Sequence, residues 1–243
     1  MLSLTAITPR VLSARLRGYK WILAGQLMVM TNFLFLTELF SRHPFPYWRE
    51  ILLGLTGGLL LLMNYLSYQL VKELTESVFV RRFVMVLLYA GVILALITGM
   101  EVIDKGSSLF YTAMILSTSS SLVSFIVLFY LMTNDIFNEK HDVTYRLLGS
   151  ACIYLGIGAT FGLMYCLLEL LLPGEFGIVS ELDIFHFIPC YNFSFYTLAG
   201  MDSPFPEFSP LVKNISVIES IVSNLFIVLI VGRLLSNLQP GER

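Results

Sequence analysis

The sequence predicts an all-α membrane protein with six transmembrane helices and a re-entrant segment between the fifth and sixth. Three observations predict it. Of the 243 residues, 56% are apolar and only 13% charged, a balance written for lipid as solvent. Apolar runs near 21–40, 51–71, 83–100, 109–133, 147–172 and 214–235 each approach the roughly 20 residues that a bilayer requires. Between the last two runs the chain stays aromatic and apolar through Phe185, Phe187 and Ile188 to Phe193, Phe195 and Tyr196, where a solvated loop would turn polar.

Residues 1–20 form a cytoplasmic N-terminal segment. They carry Arg10, Arg15, Arg17 and Lys20 ahead of an apolar run too long for a signal-peptide core and without a small-residue cleavage site. The first helix is therefore retained. Leu4 to Tyr19 alternates apolar and basic residues, and reads equally as an amphipathic helix on the inner leaflet or as a disordered tail.

Residues 21–140 hold the first four spans, separated by polar stretches such as Lys72 to Arg82 and Asn134 to Arg146. A voltage sensor would need Arg or Lys at every third position of the fourth span. None occurs between Lys105 and Lys140. The span instead contains Ser117, Thr118, Ser119, Ser120 and Ser121, small residues that favour close helix contact. These four spans read as an accessory bundle.

Placing the N-terminus inside puts eleven of the fifteen Lys and Arg residues on the inner side and leaves Arg42, Arg49, Lys105 and Lys213 outside. Six crossings return the C-terminus to the cytoplasm. The net charge of −2, with dispersed basic residues, excludes a nucleic-acid surface. Cys152, Cys166 and Cys190 lack metal or redox spacing and read as buried thiols, while His43, His141 and His186 are far apart, so no metal site is expected. No paired-carboxylate or Ser/His constellation in the spans suggests an enzyme.

Residues 141–243 carry the remaining two spans. Pro189 suits the start of a short helix running to about Leu198, too short to cross the membrane. A non-helical strand after it is tolerable only beside protein or a water-filled cavity. Four copies around an axis would provide that cavity.

Phe193 to Ser203, followed by Ser209 to Leu235, resembles the pore helix, filter and inner helix of potassium-channel pore domains, in their bacterial two-span form. The resemblance covers roughly residues 147–236. It aligns Thr197 to Asp202 with a Thr-Val-Gly-Tyr-Gly-Asp filter, Pro210 with a following Pro, Ile218-Glu219-Ser220 with a Leu-Glu-Ala-like step, and Arg233 with a terminal Arg. One residue is missing near the filter, and Ala199 and Met201 stand where the glycines belong. The step is also similar to the shortened filters of vanilloid-type transient receptor potential channels.

The resemblance implies a homotetrameric, weakly selective channel for K⁺ and/or Na⁺, with Thr197, Leu198, Ala199, Gly200, Met201 and Asp202 along the ion pathway. It implies filter support from Glu219 and bending at Ser223 beside Asn224. Glu169 is expected to snorkel to the interface, and Asp202 and Glu207 read alternatively as solvated loop acids. The expected setting is the plasma or bacterial inner membrane, with lipids and a possible separate regulatory protein as partners and no resident cofactor. The competing expectation is a non-conducting scaffold or sensor; a transporter would show repeats that are missing here.

Overall fold

In a computed structural model, residues 9–36, 47–99, 103–104, 107–137, 143–176, 187–201 and 209–238 are described. They form α-helices α1 (Pro9–Thr31), α2 (Trp48–Leu74), α3 (Val78–Gly99), α4 (Ser108–Ile136), α5 (Val143–Leu171), α6 (Phe187–Leu198) and α7 (Pro210–Leu238). A π-helical turn, Asn32–Leu36, continues α1. No strand occurs among the described residues.

Among the described residues, four segments are long and apolar enough to cross a membrane: Val78–Thr98, Ser108–Ile136, Val143–Leu171 and Pro210–Gly232. These fall in α3, α4, α5 and α7. The first two expected spans correspond to α1 and α2, which are helical but more polar. Arg15, Arg17, Lys20 and Gln26 interrupt α1, and Asn64, Gln69 and three glycines dilute α2.

The helix of the first span does not start at the membrane run. It begins at Pro9, so residues 9–20 belong to α1 and are not a disordered tail. Leu12, Leu16, Tyr19 and Ile22 turn toward the bundle and pack in a core with Leu70, Val71, Val84, Leu88, Leu128 and Met132. The basic residues of this stretch are handled by protein as well as by solvent. Arg15 pairs with Asp135 at 2.6 Å and also donates from Nε to the Glu73 carbonyl at 2.8 Å. Tyr19 donates to the other Asp135 oxygen at 3.1 Å, and Tyr145 donates to that same oxygen. One buried carboxylate thus joins α1, α4 and α5, with Arg15 extending the junction to the end of α2.

The serine run of α4 meets α3. Ser117 Oγ donates to the Gly91 carbonyl at 2.8 Å and Ser120 Oγ to the Leu87 carbonyl at 2.6 Å. A Cβ on Gly91 would stand 3.2 Å from Ser121 Oγ. Hydroxyls that would otherwise be unsatisfied in an apolar setting are placed on backbone oxygens one helix away.

A boundary at residue 140 does not separate two cores. Tyr145, Cys152 and Ile153 of α5 complete the core shared by α1 to α4. Farther along, Leu163, Tyr165 and Cys166 of α5 enter a second core built around α6, together with Phe33, Phe176 and Val212. Helix α5 is the common wall of both.

Candidate functional site

The site is assembled on α5 because its glycines let another helix come close. A Cβ on Gly162 would lie 2.7 Å from Cδ1 and 3.2 Å from Cα of Tyr191, and one on Gly158 would lie 3.0 Å from the Phe195 ring. Along α5, Gly162 faces Tyr191, Gly158 faces Ser194 and Phe195, and Tyr154 faces Leu198. The two helices are therefore antiparallel. Helix α6 starts level with the C-terminal end of α5 and stops beside its middle.

Twelve residues give α6 a length of about 18 Å, well short of the roughly 30 Å of a bilayer's hydrocarbon core. The chain then comes back: the Ser209 amide donates to the Glu175 carbonyl at 3.1 Å, in the turn that follows α5, and α7 starts at Pro210. The starts of α6 and α7 lie at the same end of α5.

Aromatic rings wedge α6 in place. Tyr165, Phe176 and Phe193 form edge-to-face contacts with centroids 5.0 to 5.5 Å apart. Phe33, in the π-helical turn, stacks on Tyr191 at 4.9 Å. Such pairs add directionality to apolar burial.

Glu219 sits behind this helix. It is 0% exposed. The Tyr165 hydroxyl donates to Oε2 at 2.7 Å, and Ser194 Oγ lies 2.5 Å from Oε1 and 2.7 Å from the Gly158 carbonyl. One carboxyl thereby connects α5, α6 and α7. Glu169 does not snorkel to an interface: it is buried, and its two oxygens accept the amides of Gly174 at 2.9 Å and Phe176 at 3.0 Å. It fixes the turn that ends α5, where Gly174 takes a positive φ of 95°.

Of the ion-pathway residues read from the sequence, Thr197 to Met201 are described, and they begin within α6. Thr197 and Leu198 are the last residues of α6, and the Thr197 hydroxyl donates back to the Phe193 carbonyl at 2.9 Å. Ala199 and Gly200 form a turn. Met201 N donates to the Tyr196 carbonyl at 2.9 Å and Gly200 N to the Thr197 carbonyl at 3.1 Å, with Gly200 at φ 68°. This is a Schellman stop, in which a left-handed glycine lets two amides satisfy the last helical carbonyls. The Leu198 carbonyl accepts from the Tyr154 hydroxyl at 2.8 Å. Three successive carbonyls are thus engaged by protein donors. Asp202 and Glu207 lie outside the described residues, as do His43, His141 and His186.

On α7, Ser223 is buried and donates to the Ser220 carbonyl at 3.0 Å, and the helix runs unbroken through it. Asn224 is exposed, on the side where Ile221, Leu225 and Val228 also point away from the rest of the chain. Among the described residues no three His, Cys, Asp or Glu side chains group as metal ligands.

Tyr154, Tyr165 and Ser194 were not singled out from the sequence. The available signal was a phenol or hydroxyl inside an apolar segment, which needs a partner when buried. The chain matches no protein-family model, no curated protein and no solved structure.

Proposed function

We propose that the chain is the subunit of a homotetrameric cation channel with a potassium-channel-like pore module and a degenerate filter. The observation that carries this reading is the path of α5, α6 and α7: a half-length helix enters beside α5, stops at mid-length, and the chain returns to its starting end before α7. In a six-span arrangement with both termini cytoplasmic, that path is a re-entrant hairpin opening to the outer side. The C-terminal end of α6 then brings its negative dipole end to the membrane interior, the arrangement that favours a cation in a central cavity. Glu219, bonded across to Tyr165 and facing Ser194, supports the hairpin from behind.

Helix α7 supplies the pore lining in this reading. Ile218, Ile221, Val222, Leu225, Val228 and Leu229 are exposed in the single chain, and in a tetramer this surface is divided between neighbouring subunits, lipid and the axis. Permeant ions are K⁺ and Na⁺ with weak discrimination. The engaged carbonyls of Tyr196, Thr197 and Leu198 leave no continuous ladder to replace a potassium hydration shell, and Asp202 provides charge near the mouth.

Those same engaged carbonyls favour a second reading, a non-conducting scaffold or sensor with the channel-like hairpin retained as structure. Purified protein in planar bilayers, under bi-ionic K⁺, Na⁺ and Ca²⁺ gradients, decides between the two. Cation current with a reversal potential near zero in mixed Na⁺ and K⁺ supports the weakly selective channel. Silence from protein of verified fourfold symmetry supports the scaffold, and a reversal potential at the K⁺ equilibrium value overturns the degenerate filter.

A further inference from the structure

Cys166, near the end of α5, and Cys190, in the first turn of α6, are both buried in the aromatic core that seats α6. In that core the two thiols are close enough to interact electrostatically. The backbones that carry them are nearly in contact: a Cβ on Gly162, one turn before Cys166, would stand 3.2 Å from the Cα of Tyr191, the residue after Cys190. A disulfide needs Cα atoms about 4.4–6.8 Å apart, a spacing within reach of two helices packed as closely as these. All three cysteines are in the thiol state. The third, Cys152, faces elsewhere, its Sγ donating to the Tyr19 carbonyl at 3.2 Å.

We propose that Cys166 and Cys190 are a reversible dithiol–disulfide pair that, when oxidised, fastens the start of α6 to the end of α5. The pair lies at the end of α5 where Glu169 holds the Gly174 turn. With the cytoplasmic termini of the proposed function, that end belongs to the outer half of the membrane, next to the compartment in which disulfides persist; this placement rests on that reading.

The oxidant is a small disulfide or azo compound. One thiol loses its proton and its sulfur bonds to the oxidant. The second thiolate attacks that sulfur, the S–S bond between Cys166 and Cys190 forms, and the bond to the oxidant breaks. The oxidant leaves with two electrons and takes up the two protons released by the thiols. Burial makes the reaction slow, because a thiolate has to form where α6 has moved off α5.

The effect is mechanical. A covalent link at the first turn of α6 restrains the end of the helix opposite the Gly200 stop. The oxidised chain therefore keeps α6 seated under conditions that release it from the reduced chain.

The test uses the full chain in its membranes, treated with diamide, quenched in acid, denatured, alkylated and mapped by mass spectrometry. The expected result is a peptide pair linked through Cys166 and Cys190, loss of two alkylatable thiols, Cys152 alkylated in full, and return of both thiols with dithiothreitol. Alkylation of all three cysteines after diamide, a link that includes Cys152, or a link between two copies overturns the proposal. Cys190→Ser is expected to give no intrachain link, and the wild-type map stands whether or not that variant folds. The map requires no ion current. A Cys166–Cys190 link in a protein that does not conduct tells against the channel alone, and current without the link tells against the redox pair alone.

Discussion

The Tyr165 hydroxyl donates to Glu219 Oε2 across 2.7 Å, joining α5 to α7 inside an apolar core. Glu219→Ala removes the acceptor for that hydroxyl and the partner of Ser194 at once. An unsatisfied buried group costs about 1–3 kcal/mol, so a loss of about 2–4 kcal/mol is expected. Glu219→Gln keeps a carbonyl oxygen for one hydroxyl and should lose about half as much. Chemical unfolding in detergent or bicelles measures both, and wild-type stability of Glu219→Ala would remove the structural role of the residue.

Arg15 and Asp135 form a pair whose side chains are 16% and 6% exposed. Breaking a pair this buried leaves an uncompensated charge, and Arg15→Ala or Asp135→Ala should each lose about 3–5 kcal/mol. The double variant should lose clearly less than the two single losses combined. Strict additivity in a double-mutant cycle would show that the pair carries no coupling.

Tyr154→Phe removes the only hydrogen that the Tyr154 ring gives to the Leu198 carbonyl. The lost bond is worth about 1 kcal/mol. Amides of Ala199, Gly200 and Met201 should therefore exchange about fivefold faster in deuterium, while the core amides of α5 keep their protection. Unchanged exchange at those three positions would show that the Schellman stop holds without the phenol.

Two glycines should respond in opposite directions to alanine. At Gly162 the added methyl meets the Tyr191 ring at 2.7 Å and its Cα at 3.2 Å. Backbone cannot give way cheaply, so Gly162→Ala should destabilise α6 packing by about 1–3 kcal/mol. At Gly57, within α2, nothing lies within 4 Å of the new atom, and Gly57→Ala should stabilise by about 0.5–1 kcal/mol through helix propensity. Paired melting curves check the contrast.

Much of the helical order was legible because lipid demands unbroken apolarity, and the runs that became α3, α4, α5 and α7 declare it. The end of α6 near Leu198 was legible too, whereas its start, expected at Pro189, lies two residues earlier at Phe187. What escaped was tertiary. Arg15 read equally as a leaflet contact or as part of a disordered tail because its partner, Asp135, is 120 positions away. Glu169 looked like an interface residue because it sits near the end of an apolar run; the Pro173-Gly174 turn was readable, but the return of its amides onto Glu169 was not. The stop at Gly200 was readable in hindsight: Thr197-Leu198-Ala199-Gly200-Met201 has the left-handed glycine and following apolar residue of a Schellman motif. Filter alignment and helix stop competed for the same five residues, and local capping chemistry accounts for the described geometry.

The distance in sequence between Arg15 and Asp135 also sets a timetable for biogenesis. At roughly 5–20 residues per second of synthesis, the 120 intervening positions take on the order of 6–24 s, during which α1 is present and its counter-ion is not yet made. Tyr145, the other phenol on that carboxylate, arrives only ten residues later. The junction therefore closes as a late event, after α2 and α3 have been synthesised. A chain halted before α4 carries Arg15 without the Asp135 carboxylate that receives it in the finished fold.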